Sequence, residues 1–172
     1  MSDEGNKTFL LKAKKEIEQK IKSETQQLSK VKKENEELTR SKMGYDNFYE
    51  SLSNFIIESV EDFHVTEDDL PQYFKENIGE TYENYVQIRV DALNEIDALN
   101  NYIDHCKREI SSNKRTLKFY RSQYLDSDFF DECLPLVVLY QDKIDTYNEN
   151  IQLTEDIIKK LGEISDKLVG WN

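Results

Sequence analysis

Residues 82–124 read YENYVQIRVDALNEIDALNNYIDHCKREISSNKRTLKFYRSQY, and their period decides the fold. Alternating steps of three and four pick out Tyr82, Tyr85, Arg89, Ala92, Ile96, Leu99, Ile103, Cys106, Ile110, Asn113, Leu117, Tyr120 and Tyr124. All but Arg89 and Asn113 are apolar or aromatic. A period of 3.5 residues held over this length is the seam of a long coiled-coil helix.

Working outward, the stretch before it carries a second seam: Leu10, Lys14, Ile17, Ile21, Glu24, Leu28, Val31, Asn35 and Leu38. Lys14, Glu24 and Asn35 interrupt it. The run continues through Tyr45, Phe48, Leu52, Phe55, Ile56, Val60 and Phe63, with Gly44 between the two halves. A glycine inside a helix costs about 1 kcal/mol relative to alanine, so this run is either one helix from about 7 to about 63 or a helix kinked at Gly44.

Residues 64–80, HVTEDDLPQYFKENIGE, break the period. Pro71 fits only the first turn of a helix, which Asp68 or Asp69 would cap. A short helix near 69–77 is expected, ended by Gly79 as a left-handed C-cap, with Thr81 capping the central helix. Folding the first run back over this corner brings Asn35 opposite Asn113. Leu38 with Ile110, Val31 with Leu117 and Leu28 with Tyr120 follow in the same register. A buried asparagine pair costs stability but fixes alignment, so Asn35 and Asn113 are the expected register layer.

Beyond Tyr124, LDSDFFDECLP forms a second corner with aspartate and serine turn formers and Pro135. A last helix from about 136 to about 169 is expected. Its seam reads Val137, Tyr140, Ile144, Tyr147, Ile151, Thr154, Ile158, Leu161, Ser165 and Leu168, widened by Leu153, Ile157 and Ile164. So wide a stripe serves two neighbouring helices. The expected fold is all-α: a single domain over 1–172, an elongated antiparallel coiled-coil-like bundle of three long helices with a short corner helix. The helical hairpin spans 7–125 and the third long helix 136–169.

Composition agrees with long helices and narrows the function. Of 172 residues, 34% are charged, with five glycines and two prolines. The net charge of -12 argues against nucleic acid as a partner, because phosphate binding needs a basic footprint. The charge is uneven: residues 1–42 hold 11 Lys/Arg against 8 Asp/Glu, a slight basic excess. That excess is too small to favour anionic lipid. No apolar run approaches the roughly 20 residues of a membrane span, the longest being Leu134 to Tyr140. MSDEGNKTFLLKAKK lacks the apolar stretch of a secretory leader, so a cytoplasmic location is expected. Export that reads folded helices would need no such leader.

No residue pattern carries catalysis. His64 opens the first corner and His105 points off the seam, and neither completes a metal motif of the HExxH, CxxC or ExxH kind. Carboxylates four residues apart, such as Asp91 and Glu95, read as a solvated face. Cys106 and Cys133 are too few for a disulfide framework, and Cys106 reads as a small core residue. No cofactor and no metal is expected, and the chain is not read as an enzyme. The ten tyrosines, many on or beside seams, suit half-buried positions or a surface that docks a partner helix. Phe129, Phe130 and Trp171 raise the same choice.

NIGETYENY at 77–85, set between two long amphipathic runs, resembles the helix–turn–helix corner of the WXG-type proteins of type VII secretion. It is closer to the YwqH-like proteins that accompany LXG toxins. Gly79 matches the motif glycine, and Tyr82 and Tyr85 fall where aromatic residues are common. Asn77 stands where the family has tryptophan, and the helix from about 136 to about 169 has no counterpart. The resemblance implies a non-enzymatic adaptor or chaperone that packs on helices of a secreted substrate. Helix-in-groove recognition of this kind uses anchors at i, i+3, i+4 and i+7. The alternative is a structural coiled-coil tether or scaffold subunit that self-associates. An adaptor should leave an apolar strip uncovered, on the first helix (Leu28, Val31, Leu38) or around Phe129 and Phe130.

Overall fold

The computed structural model describes residues 3–128 and 130–172. Four helices and no strand are found among the described residues: α1 (Asp3–Phe63), α2 (Leu70–Asn77), α3 (Gly79–Tyr124) and α4 (Phe130–Lys167). Among these residues no helix is long and apolar enough to cross a membrane. The chain divides into two compact units. Unit 1 comprises residues 1–37 and 104–151, and unit 2 comprises 38–103 and 152–172. Each long helix contributes one part to each unit.

α1 runs through Gly44 as helix. A Cβ added there meets nothing within 4 Å. The glycine thus brings only its entropic cost, and Gly44→Ala is expected to stabilise the protein by about 0.5–1 kcal/mol. A denaturant midpoint that fails to rise would contradict this.

The first corner forms with different chemistry from that expected. Pro71 does occupy the first turn of α2, and Leu70, Pro71 and Phe74 are buried. Asp69 stands at the N-cap, but its side chain makes no capping bond. Instead its backbone N–H donates to the carbonyl and hydroxyl oxygens of Thr66, both at 3.2 Å. Gly79 is not a left-handed C-cap: no described glycine has positive φ, and Ile78 holds the cap position. The left-handed residue is His64, at φ 55°, just past the end of α1. Gly79 opens α3, so Thr81 lies inside that helix. At the second corner α4 starts at Phe130, earlier than expected, and Pro135 lies inside it. Lacking an N–H, Pro135 cannot donate to the carbonyl of Asp131 four residues earlier.

Unit 2 is built on an aromatic and aliphatic core. Leu52 and Ile56 of α1, Phe74 of α2, Ala92 and Leu99 of α3, and Leu161 of α4 belong to one buried cluster. Trp171 joins it, packed against Phe74, Tyr82 and Tyr85 at centroid distances of 5.4, 5.8 and 5.2 Å. It is therefore a core residue and not a docking anchor. The tail that carries it lies on the corner, where a Cβ on Gly170 would approach Pro71 Cγ to 3.0 Å. Asn172 accepts from the Tyr82 hydroxyl and, at 2.9 Å, from Arg89. Lys42 meets Asp156 and Lys160 meets Asp46, so α1 and α4 run parallel here.

Unit 1 has the same directions. Going up α1, Lys14 meets Glu132, Glu24 meets Lys143 and Asn35 meets Asn150, which again makes α1 and α4 parallel. Tyr120 stacks on Tyr140 and His105 meets Tyr147 edge-on, so α3 is antiparallel to α4. His105 is half-buried by this contact instead of pointing off the core.

The seam of α3 holds as read: all thirteen positions are buried or half-buried. The seam of α4 is displaced by one residue in every second step. From α4 into the tail, a buried line follows Cys133, Leu136, Tyr140, Lys143, Tyr147, Asn150, Thr154, Ile157, Leu161, Ile164, Leu168 and Trp171, with Ile144, Thr146 and Ser165 buried beside it. Lys143 and Asn150 are on it because the polar interruptions of α1 meet them there.

Candidate functional site

The polar seam residues of α1 each find a partner on α4. In unit 1 Lys143 Nζ donates to Glu24 Oε2 at 2.6 Å and to Gln27 Oε1 at 3.0 Å. The Tyr140 hydroxyl donates to Glu24 Oε1 at 3.1 Å. Burial, then the Glu24 carboxylate, pushes the Tyr140 hydroxyl well above its usual range. Burial with the carboxylates of Glu109 and Glu34 does the same to Tyr147. Asn35 Nδ2 donates to Asn150 Oδ1 at 2.8 Å. Asn113 Nδ2 donates to the carbonyl of Glu109 in its own helix at 2.6 Å. The donors of the two asparagines expected in one layer thus go elsewhere.

The hairpin register differs accordingly. In unit 2 Phe55 stacks on Tyr85, where the asparagine register would set Leu93 opposite it. Tyr45 feels the charge of Glu95, where that register would set Ile103. Both contacts are displaced by about two helical turns. The third helix supplied Asn35 with a competing amide, so nothing drew Asn35 and Asn113 together.

The expected partner-binding residues are not one surface. Leu28 and Val31 are buried inside unit 1. Leu38 is half-buried against the unit 2 core. Phe130 is half-buried at the start of α4, and Phe129 lies outside the described residues. Pro71 is covered by the C-terminal tail. The apolar side chains left open lie elsewhere. On α4 Leu134 and Val138, one turn apart, are 43% and 51% exposed. With Ile21 and Thr25 of α1 they line a shallow groove of about 510 Å³ in unit 1. The sequence held a signal for them: two bulky apolar residues at i and i+4, off the seam, inside the apolar run 134–140.

Unit 2 carries a second groove, of about 460 Å³. Ala92, Leu161 and Ile164 form a buried floor, and Tyr45 and Phe48 form one wall. It opens beside Gly44, where no side chain stands in the way. Asp91 and Glu95 lie at its edge, one turn apart, and among the described residues neither has a lysine or arginine within 4 Å. Burial, then Glu95, raises the Tyr45 hydroxyl above its ordinary pKa.

Among the described residues no cysteine or histidine lines either groove. Cys106 and Cys133 are buried and not joined in a disulfide, and burial pushes the Cys133 thiol up, away from the nucleophilic thiolate. Among the described residues no three His, Cys, Asp or Glu side chains converge to hold a metal ion. No family model, curated protein or solved structure matches this chain.

Proposed function

We propose that this protein is a non-enzymatic helical interaction module that binds helices of a partner protein. The observation that carries the reading is the open apolar groove of unit 1. Leu134 and Val138 stand exposed on α4 beside Ile21 of α1. Two apolar side chains one turn apart on a packed helix are the counterpart of an incoming helix with anchors at i, i+3 and i+4. Their exposure has no benefit for the isolated chain, since burying a leucine or valine is worth about 1.5–3 kcal/mol.

The finer reading is an adaptor or chaperone for a type VII secretion substrate, built from three long helices packed as an antiparallel coiled coil. The corner at Gly79, Tyr82 and Tyr85 and the succession of long helices support it. In this reading the partner's helix completes the apolar layer over α1 and α4.

The test is affinity capture from the native cell with the full chain and with Leu134→Asp/Val138→Asp. Helical partners retrieved by the parent chain should be lost from the double variant, whose circular dichroism stays unchanged because both sites face solvent. Equal recovery on the two baits would end this reading of the groove.

A further inference from the structure

The charge of the chain belongs almost wholly to one unit. Unit 2 holds 18 Asp/Glu against 7 Lys/Arg, net -11, whereas unit 1 holds 17 against 16, net -1. The groove of unit 2 lies between antiparallel stretches of α1 and α3, with α4 beneath. Its floor is buried and apolar, and the half-buried rings of Tyr45 and Phe48 wall one side. Along the other side stand the exposed carboxylates Asp91 and Glu95, four residues apart on α3. Asp91 accepts from the Gln87 amide at 2.8 Å, and no lysine or arginine lines the groove among the described residues. Gly44 keeps the α1 side low, which lets another backbone approach closely.

We propose that this groove docks a basic amphipathic helix of a partner protein. Large apolar side chains at i and i+3 or i+4 of that helix enter over Ala92, Leu161 and Ile164. Lysines or arginines four residues apart on its flank match Asp91 and Glu95, whose backbones are about 6 Å apart along α3. The docked helix lies beside α1 and α3 as an added member of a bundle. Charge selects the occupant. An acidic helix, or a second copy of unit 2, would set carboxylates against Asp91 and Glu95 in a unit of net -11. Anionic lipid is disfavoured by the same sign. This docking does not rest on the Leu134/Val138 groove, which belongs to unit 1, so either can fail while the other stands.

The test is fluorescence anisotropy of two labelled peptides of about 18 residues, long enough to form a helix. Both carry the same leucine pattern, one with lysine and one with glutamate on the flanks. Titrated with the full chain at about 150 mM salt, the lysine peptide is expected to bind about tenfold or more tighter than the glutamate peptide. Asp91→Lys/Glu95→Lys should weaken it by about tenfold or more. Gly44→Leu, which narrows the groove without changing the charge, should do the same, and circular dichroism checks that both variants remain helical. Glu61→Lys/Asp62→Lys makes the same change of charge on exposed residues about 20 Å along α1 from Phe48. That exceeds the screening length of about 8 Å, so the change should be under about twofold. Leu134→Asp/Val138→Asp should also leave the affinity within about twofold.

An absence of saturable binding overturns the proposal, as does an equal or tighter glutamate peptide. Equal weakening by the Glu61/Asp62 reversal would mean attraction to the acidic unit at large and no specific groove. Insensitivity to Gly44→Leu would place the peptide outside the groove, and loss in the Leu134/Val138 variant would place it on unit 1.

Discussion

Lys143→Met should lower the unfolding free energy by about 3–5 kcal/mol. The side chains of Glu24 and Lys143 are only 6% and 4% exposed. Removing the ammonium leaves the Glu24 carboxylate buried, with the Tyr140 hydroxyl as its remaining close donor and Lys20 near it at 3.9 Å. It also strips the carbonyl oxygen of Gln27 of its donor. A buried charge without its counterion costs far more than the pair contributes. The companion variant Glu24→Leu/Lys143→Met is therefore expected to recover most of the loss, because two apolar side chains of similar size fill the site without a charge to desolvate. Denaturant unfolding followed by circular dichroism measures both. A single variant that costs under about 1 kcal/mol, or a double variant less stable than the single, would show that the pair is not isolated from water.

The second large effect is expected at the far end of the sequence. Trp171→Ala should cost about 3–5 kcal/mol, the range for removing a large aromatic side chain from a packed core. Trp171 is 2% exposed and touches the rings of Phe74, Tyr82 and Tyr85, which come from α2 and α3. The indole also holds the tail that places Gly170 on Pro71 and Asn172 on Arg89. Its loss therefore removes a core side chain and frees the residues around it. The same denaturation experiment reads the cost, and a loss below about 1 kcal/mol would mean that the corner is held without its tail.

Much of this was legible because apolar period is a local property. The seam of α3 survives intact since only Arg89 and Asn113 interrupt it. On α4 the apolar period finds the buried face, Ile144 and Ser165 included, but passes over Lys143 and Asn150, where burial and polarity part company. Lys143 and Asn150 are buried because Glu24 and Asn35 face them, and no property of α4 alone reveals that. The interruptions at Lys14, Glu24 and Asn35 were visible, but their partners required knowing which helix lay alongside. Matching Asn35 to Asn113 by residue type assumed a two-helix layer, and a third helix changed the pairing. Leu28 and Val31 show the same limit from the apolar side: the period identifies the face, and only the packing shows that the chain covers it itself. Leu134 and Val138 stand beside the seam, and the period alone does not distinguish an exposed apolar residue there from a buried one.

Trp171 is the only tryptophan in the chain, and it is buried in unit 2 among aromatic rings. Its fluorescence is a private report from that unit. Far-ultraviolet dichroism sums the helices of both. The two signals followed through one titration will coincide if the units melt as a single cooperative body and part if they do not. The protein thus carries a built-in dye for asking whether its long helices bind two units into one thermodynamic fate.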